Sequence, residues 1–144
     1  MSERPAQFFT LEEANRLVPD LALRVDRFFS KKAATTRLHD HLFLHEILHG
    51  IESKAGRGED PAKIDEASQG VEEALMALER EIRQLKQLGC LLQDLEKGWV
   101  DFPARFGTKI IYLCWKRGET CVRFFRAESA ERLPLDKLEG FERL

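Results

Sequence analysis

The sequence predicts an α+β fold: a long antiparallel helical hairpin followed by a small antiparallel β-meander. Three observations predict it. Apolar residues recur at three- and four-residue spacing as far as Gly89. Beyond Gly89 they gather in short runs rich in β-branched and aromatic residues. Glycine turns separate those runs. A chain of 144 residues fits one domain over 1–144, with the hairpin at 8–88, the meander at 89–126 and a tail at 127–144.

The first helix starts at Thr10, an N-cap whose partner in a capping box is Glu13, with Phe9 placed to staple onto Ala14. Leu17, Leu21, Val25 and Phe28 follow at helical spacing. Pro19 inside this run predicts a kink or a fresh start. The stretch from Ser30 to Arg37 carries Lys31, Lys32 and Arg37 and reads as a break or an exposed basic face. Helical spacing resumes at Leu38 and lasts to about Glu52. Ser53 to Asp60, with Gly56 and Gly58, is the hairpin turn, and Asp60-Pro61 opens the second helix. Ile64, Val71, Leu78 and Leu85 form a seven-residue seam, with Ala67, Ala74 and Leu88 between them. Gly89 caps the end.

The meander should comprise three or four strands. Cys90 to Leu92 is a short apolar run. Trp99 to Phe102 follows a Lys97-Gly98 turn and is expected to stop at Pro103. Lys109 to Trp115 and Cys121 to Phe125 flank Arg117-Gly118. A two-residue turn there would set Cys114 opposite Cys121 and Leu113 opposite Val122. A short terminal helix is expected near Leu135 to Phe141.

Composition excludes several classes. Hydrophobic residues make up 43 %, enough for a core and too many for a disordered chain. A net charge of −2, from 23 basic and 25 acidic residues, argues against a nucleic-acid or anionic-membrane partner. Three cysteines give no disulfide framework. With no apolar signal core in Met1 to Gln7 and no membrane-length apolar stretch, a soluble cytoplasmic protein is expected.

Three blocks carry a family likeness: Phe9-Thr10-Leu11-Glu12-Glu13-Ala14-Asn15, the run from Gly89 through Val100-Asp101-Phe102-Pro103-Ala104-Arg105, and Leu113-Cys114-Trp115-Lys116-Arg117-Gly118-Glu119. Together they resemble the bacterial domain-of-unknown-function family 2203 over roughly residues 8 to 126. The resemblance implies a fold and no reaction. Members of that family often carry an aromatic residue followed by histidine after the third block, where this chain has Phe124-Phe125-Arg126.

All four histidines lie between His39 and His49. Uniform scatter would produce such a cluster roughly once in a thousand shuffles, so it calls for an explanation. His41, His45 and His49 share a helical ridge, and His39 falls off it. Phe43, Leu44, Ile47, Leu48 and Ile51 form the stripe expected to face the core. His45-Glu46-Ile47-Leu48-His49 matches H-E-x-x-H, in which two imidazoles one turn apart bind a metal and the glutamate activates its water. The first functional reading is therefore divalent-metal binding, zinc or another ion, at His45 and His49, with His41, Asp65, Glu66 or Glu72 as further ligands. Glu46 is catalytic only in the zinc-hydrolase version. Only helix precedes the motif, which disfavours a hydrolase cleft. Glu46-x-x-His49 also fits one half of a di-iron bundle, with Glu72 or Glu73 from the second helix. Against these stand a plain polar helix face and a pH-dependent interface.

A non-catalytic module that associates as a homodimer through the hairpin is the alternative of a different class. Asp94, Glu96, Asp101, Arg105, Arg117 and Glu119 cluster around the predicted turns, either as a small charged pocket or as turn residues and surface pairs. Trp99 and Trp115 read as core anchors.

Overall fold

The structure is a computed structural model and describes residues 7–54, 56, 61–128 and 130–140. Two helices, α1 (Leu11–Lys54) and α2 (Pro61–Gln87), precede five strands: β1 (Leu91–Asp94), β2 (Trp99–Phe106), β3 (Lys109–Lys116), β4 (Phe124–Ala127) and β5 (Leu133–Pro134). The strands form one antiparallel sheet in the order β1-β2-β3-β4-β5. The expected α+β architecture, a helical hairpin before a meander, is the observed one, with β5 as an additional strand. The chain divides into two compact units: the sheet unit, Met1–Asp26 with Arg83–Leu144, and the arm unit, Arg27–Ile82. Both helices contribute to both units.

The sheet unit contains the larger core. Val100, Phe102, Leu113 and Trp115 are fully buried, as are Ala14, Leu21 and Val25 of α1 and Leu85 of α2. The capping box forms as its spacing requires: the Glu13 N–H donates to Thr10 Oγ1 at 3.1 Å and the Thr10 N–H to Glu13 Oε1 at 3.4 Å. Phe9, just before the cap, is buried edge-on against Phe102, with ring centroids 5.2 Å apart.

Pro19 neither ends nor restarts α1. A proline inside a helix costs about 3 kcal/mol. Burial of Val18, Leu21 and Val25 on the turns around it, at about 1.5–3 kcal/mol each, outweighs that cost. The stretch from Ser30 to Arg37 is also continuous helix. Thr35 and Thr36 donate their hydroxyls to the carbonyls of Lys31 and Lys32, and Lys31 reaches the buried Glu81 at 2.7 Å. Lys31 is thus an ion-pair residue within the arm unit as well as part of a basic face.

Strand β2 continues through Pro103 to Phe106. In an antiparallel ladder a residue's N–H and C=O point the same way. The Pro103 carbonyl accepts from the Phe9 N–H at 2.7 Å, on the side away from β3. Its missing N–H therefore removes no bond to β3, and the strand tolerates it.

The β3–β4 register differs from the expected one. Cys114 lies opposite Phe124 and Leu113 opposite Phe125. The connection is longer than two residues and is held by side chains. Glu119 accepts from the Lys116 N–H at 2.6 Å, Trp115 Nε1 donates to the Glu119 carbonyl at 2.8 Å, and the Val122 N–H donates to Asn15 Oδ1 at 2.7 Å.

Gly89 has φ +89°, and its N–H donates to the Lys86 carbonyl, closing α2 as expected. The terminal helix is a single 3-10 turn, Leu135–Lys137. Asp60, the predicted N-cap, and Phe141 lie outside the described residues.

Candidate functional site

The histidine ridge belongs to the arm unit, and two of its residues line a cleft with α2. Leu38, His41 and His45 of α1, with Lys63, Glu66, Ala67 and Gly70 of α2, line a cleft of about 410 Å³. The stripe expected to face the core is turned to water instead. Phe43, Leu44, Ile47, Leu48 and Ile51 are between 42 and 61 % exposed. The small residues Ala67 and Gly70 leave room on α2, where a Cβ added at Gly70 would meet nothing within 4 Å.

His41 and His45 face each other. Their Nε2 atoms are 2.9 Å apart, with the rings edge to face at 4.2 Å between centroids. One ring donates its N–H to the lone pair of the other. His49 follows a separate course. Its Nε2 is 3.5 Å from Ser53 Oγ, at the outer limit of a hydrogen bond, and its Nδ1 is buried without a hydrogen-bond partner. The one-turn spacing thus brings His41 and His45 together by their ring nitrogens, and leaves His49 aside. His39 is exposed on the far side of the ridge, beside Asp40 at 4.0 Å.

Of the other candidate ligands, Glu66 lines the cleft, whereas Glu46, Asp65 and Glu72 are exposed side chains that do not line it. Among the described residues, no three His, Cys, Asp or Glu side chains gather closely enough to hold a metal ion.

The polar residues of the meander resolve into separate pairs within the sheet unit. Asp101 is fully buried and accepts three hydrogen bonds: from Trp99 Nε1 at 2.8 Å, and from Arg126 Nε and an Arg126 terminal nitrogen at 2.9 and 2.7 Å. Arg126 also donates to Gln93 Oε1 at 3.3 Å and lies over the Tyr112 ring at 4.5 Å. Glu119 holds Arg132 at 2.8 Å, Arg117 holds Asp26 at 2.7 Å, and Arg105 stacks on Phe8 at 4.4 Å. Asp94 is 4.0 Å from Lys97 across the β1–β2 turn, and Glu96 is exposed. These groups do not share a charged pocket.

The residue that sequence reasoning passed over is Arg126. Nothing local marks it, because Asp101 is 25 positions away and meets it only through the register of three strands. Burial pushes the Cys90 thiol up to about 11. Burial, with the neighbouring Asp101 carboxylate, pushes Cys114 up to about 12. Both are inert thiols in a packed sheet.

A family model described as an uncharacterized conserved protein, DUF2203, matches residues 7–134. The chain belongs to the DUF2203 family. The match spans the residues of both helices and of all five strands. No curated protein and no solved structure matches the chain. Among the described residues no helix is long and apolar enough to cross a membrane.

Proposed function

We propose that this DUF2203 chain is a non-catalytic association module whose helical arm pairs with a second copy of itself. The observation that carries this reading is the outward apolar stripe of α1. Phe43, Leu44, Ile47, Leu48 and Ile51 recur at one- and three-residue steps and so form one contiguous helix face. A contiguous exposed apolar face is characteristic of an interaction surface.

Magnitudes support a second copy as the occupant. Full burial of a side chain of this size is worth about 1.5–3 kcal/mol, and about half of each is still open to water. A two-fold pair covering the stripe in both copies recovers about 10 kcal/mol, against an association cost of about 4–15 kcal/mol. The gain meets the lower part of that cost. The pairing is accordingly reversible, with a Kd of about 10–100 µM. A two-fold axis lets one stripe serve both sides, so no further surface is needed.

Sedimentation equilibrium of the tag-free chain from about 1 to 300 µM tests this. The expected result is a monomer–dimer equilibrium unaffected by chelator and abolished by Leu48→Glu. A monomer throughout that range overturns the reading, as does a dimer indifferent to Leu48→Glu.

The metal-binding reading now rests on the cleft histidines. The zinc-hydrolase version gains no support from the geometry, since His45 is engaged with His41 rather than aligned with His49 and Glu46 lies outside the cleft.

A further inference from the structure

The geometry of His41 and His45 points to a two-imidazole chelate, and we propose that it binds a divalent transition metal of square-planar or tetragonal preference, copper(II) before nickel(II) and both before zinc. This rests on other residues than self-association does, because no member of the apolar stripe lines the cleft.

The ring nitrogens decide the metal. Imidazole nitrogens sit about 2.0–2.1 Å from such an ion. Two nitrogens 2.9 Å apart at that range subtend about 90° at the metal. Tetrahedral zinc instead needs its ligand atoms about 3.3 Å apart. A right angle is the cis angle of square-planar and octahedral centres, which copper(II) and nickel(II) favour with nitrogen and oxygen ligands. The Irving–Williams order also puts copper first.

Binding replaces the N–H···N bond between the rings. Both rings then carry their protons on Nδ1 and offer both Nε2 lone pairs to the ion. The chain supplies two ligands, because no third His, Cys, Asp or Glu converges with them among the described residues. Water fills the remaining positions, and the cleft has volume for it. Glu66 and Lys63 line the opposite wall with opposite charges, so their fields offset each other and the histidine pair dominates affinity.

The test is a titration of the tag-free full chain with copper(II) alone, read by electron paramagnetic resonance and by isothermal calorimetry. One copper per chain with hyperfine coupling to two nitrogens is expected. His41→Gln and His45→Gln should each weaken binding at least tenfold, and His49→Gln should leave it unchanged, with helical circular dichroism unaltered in all three. Nickel should bind more tightly than zinc. Loss of binding in His49→Gln with retention in His41→Gln overturns the proposal and favours the H-E-x-x-H pair. No copper binding at about 100 µM, or equal binding by all variants, also overturns it. Phe43→Glu, a stripe variant on the face of α1 opposite both histidines, should bind copper as the parent chain does and should lose dimerisation, so the two failures are read separately.

Discussion

The two units apply opposite rules to the same kinds of residue. In the sheet unit Trp115, Phe102, Leu113 and Leu21 are inside, and the buried Asp101, paired with the buried Arg126, accepts three hydrogen bonds. In the arm unit leucine, isoleucine and phenylalanine face water while histidines line the cleft. Glu81 Oε2 and His49 Nδ1 are buried there without hydrogen-bond partners, as Arg132 Nε is in the sheet unit. The contrast teaches that one helix can serve as core at its beginning and as display surface further on. The fully buried apolar side chains named above lie in the first unit, and the second carries the exposed stripe.

The largest test of that contrast is Asp101→Ala. It leaves the guanidinium of Arg126 buried without its carboxylate and should cost about 3–5 kcal/mol in denaturant unfolding. Adding Arg126→Met should restore much of the loss. Trp99 and Trp115 both lie in the sheet unit, so their fluorescence reports its unfolding. A smaller loss is expected from Thr10→Ala, about 1 kcal/mol, because it removes the hydroxyl that accepts the Glu13 N–H.

Raising the pH probes the same unit. Cys90 and Cys114 hold their protons to about 11 and about 12, against an ordinary thiol value of 9.0. Below 9 neither the folded nor the unfolded chain ionises them. Above 9 the unfolded chain releases its protons first, so stability should fall as pH rises from 9 through 12. At pH 8 a thiol reagent should label the half-buried Cys121 rapidly, and reach Cys90 and Cys114 only on unfolding.

The smallest effect belongs to the arm. Ile47→Gln should change the unfolding free energy of the dilute monomer by no more than about 0.5 kcal/mol, because the side chain already faces water. A loss comparable to that of Asp101→Ala would break the comparison.

How much of this was legible in the sequence depended on how local the cause was. The capping box and the Gly89 turn are each set within a few residues, and each formed as its spacing requires. The β3–β4 register was not legible, because Glu119 and the distant Asn15 shape the connection. Pro103 misled for a similar reason: only its strand neighbours decide whether its missing N–H matters. At the candidate site, four-residue spacing offered two equivalent histidine pairs, 41 with 45 and 45 with 49. Rotamers, which no spacing rule supplies, joined the first pair. The helical wheel found the apolar stripe but not the side from which a neighbour would approach it.

The Phe9–Pro103 and Asn15–Val122 hydrogen bonds tie the beginning of α1 to β2 and to the β3–β4 connection, made some hundred residues later. On a ribosome, the first turns of α1 emerge long before their partners. Ala14, Val18, Leu21 and Val25 must wait, uncovered, while the arm and then the meander are synthesised. At about 5–20 residues per second that interval lasts several seconds or more. An apolar face that is buried in the finished protein is therefore the one longest exposed to chaperones during its synthesis, and the sheet unit closes only when the last strands arrive.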